Sequence, residues 1–222
     1  MQEKQLVGEA AAKLVENNMI VGLGSGSTIF YTLKKLGELV SAGLKITGVA
    51  TSRQTEELAK QFKIPILSLG EVEYLDIAID GADEIDQSFS LIKGGGGALL
   101  REKMVANSAK RVVIIVDSSK STNVLGTYPL PVEIVPFGWE MTTRKIEKTG
   151  CVPTLRMNEM NEPYLTDNGN YILDCNYKVI SNPKELEVKL NMIPGVVENG
   201  LFVGVADEII TVKDKVVSIK IK

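Results

Sequence analysis

Four short segments of this 222-residue chain gather the side chains and exposed backbone that chemistry needs. In Gly24-Ser25-Gly26-Ser27-Thr28, small residues bare backbone N–H groups and three hydroxyls stand beside them, a pattern that favours a phosphate dianion when a helix follows. A dinucleotide fingerprint needs its third glycine, and a nucleotide phosphate loop its lysine, where Ser27 stands. The segment therefore reads as a small phosphate site or a plain Gly-rich turn. Asp80-Gly81-Ala82-Asp83-Glu84-Ile85-Asp86 crowds carboxylates after an apolar run. Its 80/83/86 spacing does not match a calcium loop, and the alternative is a solvated acidic turn capping a helix. Asp80, nearest the apolar run, suits that alternative least.

Lys93-Gly94-Gly95-Gly96-Gly97 is the most specific segment, because four consecutive glycines are entropically costly unless backbone must approach something closely. They can form an oxyanion nest, with Glu102 on the second turn of the helix behind them. Ala98, Leu99, Val105 and Ala106 are its helical neighbours, and a desolvated carboxylate is a stronger base. Arg101 has a similarly apolar set of neighbours, so periodicity leaves open which of the two faces inward. Asp117-Ser-Ser-Lys120 adds hydroxyls and a cation, and Lys93 with Lys120 offsets locally a net charge of −3 that would repel phosphate.

Composition narrows the chemistry further. There is no histidine, which removes Ser-His-Asp and Cys-His catalysis and the commonest metal ligand, leaving carboxylates and lysines as proton carriers. Two cysteines, Cys151 and Cys175, are too few for a disulfide framework or a thiolate metal site. The charge balance gives no sign of general nucleic-acid affinity. The longest apolar run, Val112 to Val116, is far too short to span a membrane, so a soluble cytoplasmic protein is expected.

The elements that must position these segments alternate. A helix is expected over Leu6–Glu16, a strand over Met19–Leu23, a helix over Ile29–Ser41, a strand over Lys45–Ala50 and a helix over Glu56–Phe62. Leu75–Ile79 and Arg111–Val116 are nearly continuous apolar strands of the kind buried on both faces. The fold class is α/β: an open, mostly parallel Rossmann-like sheet with helices on both faces, whose ligands bind beyond the carboxyl ends of the strands. Length favours about 1.5 domains. Prolines at Tyr128-Pro-Leu-Pro131 mark a boundary. Beyond it, strand Val132–Val135, helix Glu140–Lys148, strand Thr154–Met157, a hairpin through Asp167–Asn170 and helix Pro183–Met192 predict a small ferredoxin-like α+β module. The division expected is 1–127 with 200–222 as the main domain and 128–199 as the insertion. Leu201–Val205, Glu208–Val212 and Val216–Ile221 read as strands, some returning to the main sheet.

The four segments, in this order and spacing, resemble ribose-5-phosphate isomerases of the A type, and the similarity continues through Pro129–Glu133, Thr166–Asn170 and Ile193–Val197 to Gly200-Leu-Phe202. That resemblance implies reversible isomerisation of D-ribose 5-phosphate to D-ribulose 5-phosphate through an enediolate, in the non-oxidative branch of the pentose phosphate pathway, without metal or organic cofactor. It implies that Glu102 carries the proton between C1 and C2. Ser25, Gly26, Ser27 and Thr28 would hold substrate, with Ser27 and Thr28 near the phosphate. Asp80, Gly81, Ala82 and Asp83, with Lys93, Gly94, Gly95 and Gly96, would grip the reacting end, and Lys120 would complete the site. It also implies a phosphosugar as partner, neither nucleic acid nor membrane, and a homodimer or homotetramer. The alternative is a non-catalytic phosphosugar sensor of the same fold, which would dispense with the base. A CoA-transferase-like relative would need a basic groove for acyl-CoA that the sequence does not offer.

Overall fold

The computed structural model describes residues 2–213 and 215–222. In chain order the elements begin with α1 (Gln2–Ala12), β1 (Ile20–Leu23), α2 (Ile29–Ser41), β2 (Thr47–Ala50), α3 (Arg53–Gln61) and β3 (Ile77–Gly81). They continue with β4 (Glu84–Ile85), β5 (Leu91–Ile92), α4 (Leu99–Asn107), β6 (Val112–Ile115), β7 (Leu130–Ile134), α5 (Trp139–Glu147) and β8 (Val152–Leu155). The last are β9 (Tyr171–Asn176), α6 (Pro183–Asn191), β10 (Val196–Asn199), β11 (Leu201–Phe202), β12 (Glu208–Lys213) and β13 (Val216–Ile221).

These elements form two compact units. The first is Met1–Ala82, Arg101–Lys120 and Val205–Lys222; the second is Asp83–Leu100 and Ser121–Gly204. The insertion thus comes in two pieces instead of the single stretch 128–199. Residues 83–100 belong to it because β5 pairs with both β4 and β11, and because the buried Glu84 carboxylate accepts the backbone N–H groups of Gly126, Thr127 and Tyr128.

The first unit is built on a six-stranded sheet in the order β13-β12-β6-β3-β1-β2. All neighbours are parallel except the β12/β13 hairpin. Val21 and Leu23 of β1, Ile77 and Ile79 of β3, and Val113 and Ile115 of β6 share a core with Val7 and Ala11 of α1 and Ile29 and Leu33 of α2. Alternation along the strands sends Gly22 and Ala78 to the other face, where Val105 of α4 lies against them, so both faces are covered by helices. Helix α2 has the expected limits. Helix α1 starts and ends about four residues early, because its first turn is anchored by polar contacts of Glu3 and Lys4, and the chain has left the helix before Asn18, at φ 67°. Helix α3 starts at Arg53 under an N-cap in which the Ser52 hydroxyl accepts the Thr55 N–H.

The second unit holds a four-stranded antiparallel sheet in the order β10-β7-β9-β8, the 4-1-3-2 order of a β-α-β-β-α-β ferredoxin-like module. Strand β8 lies two residues earlier than the pattern indicates, with Pro153 opposite Cys175. Leu130, Val132 and Ile134 of β7 pack with Ile146 of α5, Leu173 of β9 and Leu190 of α6. A separate three-stranded sheet, β11-β5-β4, carries the segment that leads into the glycine run.

Candidate active site

In the first unit, chain order and strand order part company at β1, whose neighbours β2 and β3 lie on opposite sides. Open α/β sheets place ligands at such a switch point. Here the carboxyl ends of β1 and β3 meet. The Gly24 N–H donates to the Ile79 carbonyl at 2.9 Å, and Asp80 Oδ1 accepts the N–H groups of Ser25 (3.2 Å) and Gly81 (2.7 Å). Asp80 is 6% exposed. A Cβ on Gly24 would run into the Asp80 carboxylate, so only glycine allows the two strand ends this close.

Glu102 reaches the same edge by another route. Because β3 and β6 are parallel, the helix between them must run back, and its first turn lies at the carboxyl ends of the strands. Helix α4 begins at Leu99, so Glu102 is in the first turn and not the second; the φ of +82° at Gly97 rules out an earlier helical start. Glu102 is 4% exposed, whereas Arg101 is intermediate, which answers the question left by periodicity.

The hydroxyls of the Gly24–Thr28 segment divide in two. Ser25 Oγ is drawn into a cluster with the hydroxyls of Thr51 (2.8 Å), Ser52 (2.7 Å) and Thr55 (3.1 Å), which fixes the turn. Ser27 is exposed beside exposed Gly26, and its Oγ accepts from Lys4 Nζ at 2.8 Å. Thr28 is the N-cap residue of α2 and makes no side-chain capping bond. Lys120 ends a short 3-10 turn after β6, where the Asp117 carboxylate accepts the Ser119 N–H and hydroxyl. Burial works to raise the Asp117 pKa, but these bonds and the charges of Lys120 and Lys4 outweigh it and hold the carboxyl below its ordinary range. Two ammonium groups, the exposed Gly26-Ser27 turn and the N-terminus of α2 form an arrangement of the kind that can receive a phosphate dianion.

In the second unit the glycine run forms a tight turn in which the Gly97 N–H donates to the Gly94 carbonyl at 2.9 Å, with positive φ at both ends, +100° and +82°. Asp83 Oδ2 accepts the Gly95 N–H at 2.7 Å. Arg156 Nη1 donates to the carbonyls of Gly94 (3.1 Å) and Gly95 (3.0 Å), and the Tyr164 hydroxyl donates to Gly96 O. Lys93 is 3% exposed, its N–H bonded to the Gly200 carbonyl and its ammonium 5.5 Å from the centre of the Phe202 ring. Beside Asp83, burial and the carboxylate's charge push the Tyr128 hydroxyl pKa up.

The acidic segment thus separates by role. Asp80 and Asp83 organise glycine backbone, Glu84 ties down residues 126–128, and Asp86 closes the β4–β5 turn by accepting the N–H groups of Ser88 and Ser90. It is neither a helix cap nor a calcium loop. Among the described residues no group of three or more His, Cys, Asp or Glu side chains could hold a metal ion. No helix among them is long and apolar enough to cross a membrane. Sequence reasoning missed Lys4, Arg156 and Tyr164. Lys4 lies on a helix far from the motifs in sequence, Arg156 follows β8 directly at a position the pattern assigned to a strand, and Tyr164 lies in the loop before β9.

Comparison with known proteins gives a consistent result. The family described as ribose 5-phosphate isomerase A (phosphoriboisomerase A) matches residues 47–215. The chain is 52% identical over 211 residues to ribose-5-phosphate isomerase A of Bacillus mycoides, covering 95% of each, and 50% identical to that of Listeria innocua, covering 95% and 94%. Among solved structures it is similar to a D-ribose-5-phosphate isomerase in complex with phospho-erythronic acid, with a TM-score of 0.96 at 38% identity over 99% of this chain and 97% of that one. The ribose 5-phosphate isomerase A of Methanocaldococcus jannaschii gives a TM-score of 0.94 at 38% identity, covering 99% and 98%.

Proposed function

The chain belongs to the ribose 5-phosphate isomerase A family and interconverts D-ribose 5-phosphate and D-ribulose 5-phosphate, and we propose that it does so through an enediolate with Glu102 as the base. The observation that carries this reading is Glu102 itself: a carboxylate 4% exposed, in the first turn of the helix that starts at the carboxyl edge of the sheet. Glu102 takes the proton from C2 of the open-chain aldose, and the electron pair moves onto O1. Returning the proton to C1, with transfer of a proton from O2 to O1, gives the ketose.

The other residues divide by the part of the substrate they serve. Ser27, Thr28, Lys4 and Lys120 take the phosphate, supported by the Lys4–Ser27 bond. Ser25 and Gly26 shape that turn. Asp80, Gly81 and Ala82 present the end of β3 to the sugar. Asp83, Lys93, Gly94, Gly95 and Gly96 serve the reacting oxygens: the buried Lys93 ammonium and the Gly96 N–H stabilise developing negative charge, while Asp83 orders the turn through the Gly95 N–H. Such a route needs only a base and oxyanion donors, so the reaction is proposed to proceed without metal or organic cofactor. The sensor reading is not favoured, since it leaves Glu102 without a role. We place the enzyme in the cytoplasm as a homodimer or homotetramer, which light scattering will resolve.

The test is a coupled assay with ribose 5-phosphate in EDTA. Wild type is expected to turn over, and Glu102→Gln to lose about 10²- to 10⁴-fold in kcat with little change in KM. A metal-stripped, folded wild type with no turnover would sink the cofactor-free route, and a fully active Glu102→Gln would remove the base.

A further inference from the structure

Arg156 holds the glycine turn from outside the motifs, and it is itself held. While Nη1 reaches the carbonyls of Gly94 and Gly95, Nε and Nη2 donate to the two carboxylate oxygens of Asp174 at 2.9 and 2.5 Å. The Arg156 side chain is only 14% exposed, and the Tyr164 ring lies 5.9 Å from its guanidinium carbon. We propose that Arg156, oriented by Asp174, is a positioning residue for the isomerisation, fixing the peptide planes of the turn that serves the reacting oxygens. The proposal rests on the assignment of those oxygens to the glycine turn under Proposed function.

In a trans peptide the C=O and the following N–H point to opposite sides. Arg156 on Gly94 O and Asp83 on Gly95 N–H therefore grip one peptide from its two ends. In the next peptide Arg156 takes Gly95 O, which sends the Gly96 N–H away from the guanidinium; Gly96 is exposed, with open space where a Cβ would be. A cation on a carbonyl polarises the peptide and strengthens its N–H as a donor. Glycine backbone is the most mobile of all, so without such an anchor the turn would spread over many orientations, few of them productive. Only a guanidinium can serve two carbonyls and a bidentate carboxylate at once; an ammonium lacks the fork.

The experiment compares wild type with Arg156→Ala, Arg156→Lys and Asp174→Asn. It measures kcat, KM, thermal midpoint, and the affinities of phospho-erythronic acid and of inorganic phosphate. Arg156→Ala is expected to lose kcat on the order of 100-fold, the scale of a small misplacement of catalytic groups, with KM within about 3-fold. Its affinity for phospho-erythronic acid, whose planar, anionic carboxylate resembles an enediolate, falls in parallel. Inorganic phosphate affinity stays unchanged, because Lys4, Ser27 and Lys120 are untouched. Arg156→Lys and Asp174→Asn show smaller losses of the same pattern, and they decide the matter if Arg156→Ala does not fold. A folded variant set with wild-type kcat, or equal losses of affinity for both ligands, would overturn the proposal. A wild type that fails to isomerise ribose 5-phosphate would instead overturn the functional reading, and the phospho-erythronic acid titration would still report on Arg156.

Discussion

Lys4 is the residue at which local sequence and function are furthest apart. It stands on α1, more than twenty positions from Ser27, and donates to its hydroxyl at 2.8 Å. The phosphate contact proposed for it would bind ground state and transition state alike. Lys4→Ala and Lys120→Ala are therefore expected to raise KM by about 10-fold or more, with kcat within a few-fold, in steady-state assays. Asp117 belongs to the same neighbourhood, and its lowered pKa makes a claim about stability. A carboxylate held below its unfolded value stabilises the fold above that value and loses its contribution as pH falls through the folded one. The thermal midpoint of Asp117→Asn should thus lie below that of wild type at neutral pH, the gap beginning to close near pH of about 4 and vanishing below it. A gap independent of pH would assign the effect to packing. Glu102 was legible in sequence as the polar residue behind four glycines, but its burial was not, since Arg101 has an equally apolar helical neighbourhood.

Elements decide the roles of the acidic and glycine segments. The sequence pattern placed the acidic segment after a strand and the glycine run before a helix, and β3 and α4 bear that out. It singled out Asp80 but gave Glu84 no structural role, because that role depends on β4 and β5, each two residues long and too short for any periodicity to register. Glu84 became structural only when the chain returned residues 126–128 to it. Where an element carries its own local signal, the reading succeeds. Helix α6 has Asn182 as N-cap, accepting the Glu185 N–H, with Pro183 in the first helical position. Asn182→Ala should cost about 1 kcal/mol in thermal or urea unfolding while leaving kcat and KM unchanged. A larger loss, or any change in kcat, would mean that α6 does more than support its sheet.

For the whole molecule, the class of fold and the ferredoxin-like order of the insertion followed from alternation of element types, whereas its extent did not. Residues 83–100 join the second unit through pairing of β5 with β11, across more than a hundred positions, and no local signal reports such a distance. The same feature governs the main sheet. Strand β12 pairs with β6 through Glu208–Ile210 opposite Val113–Ile115, Asp207 Oδ2 accepts the Val112 N–H, and Arg111 forms a double ion pair with Glu208 at 2.7 and 2.8 Å. Biosynthesis runs from the other end. Every residue of the second unit is made before Val205, and β6 presents a bare apolar edge until β12, made after it, leaves the ribosome. At roughly 5–20 residues per second the wait is short, but during it the nascent chain carries an unpaired edge strand and is at its most prone to aggregation. Chains arrested beyond Gly204 through a linker long enough to carry it clear of the ribosome's exit tunnel should therefore show a protease-resistant second unit beside a first unit that is still cleaved, and release with β12 should abolish the difference.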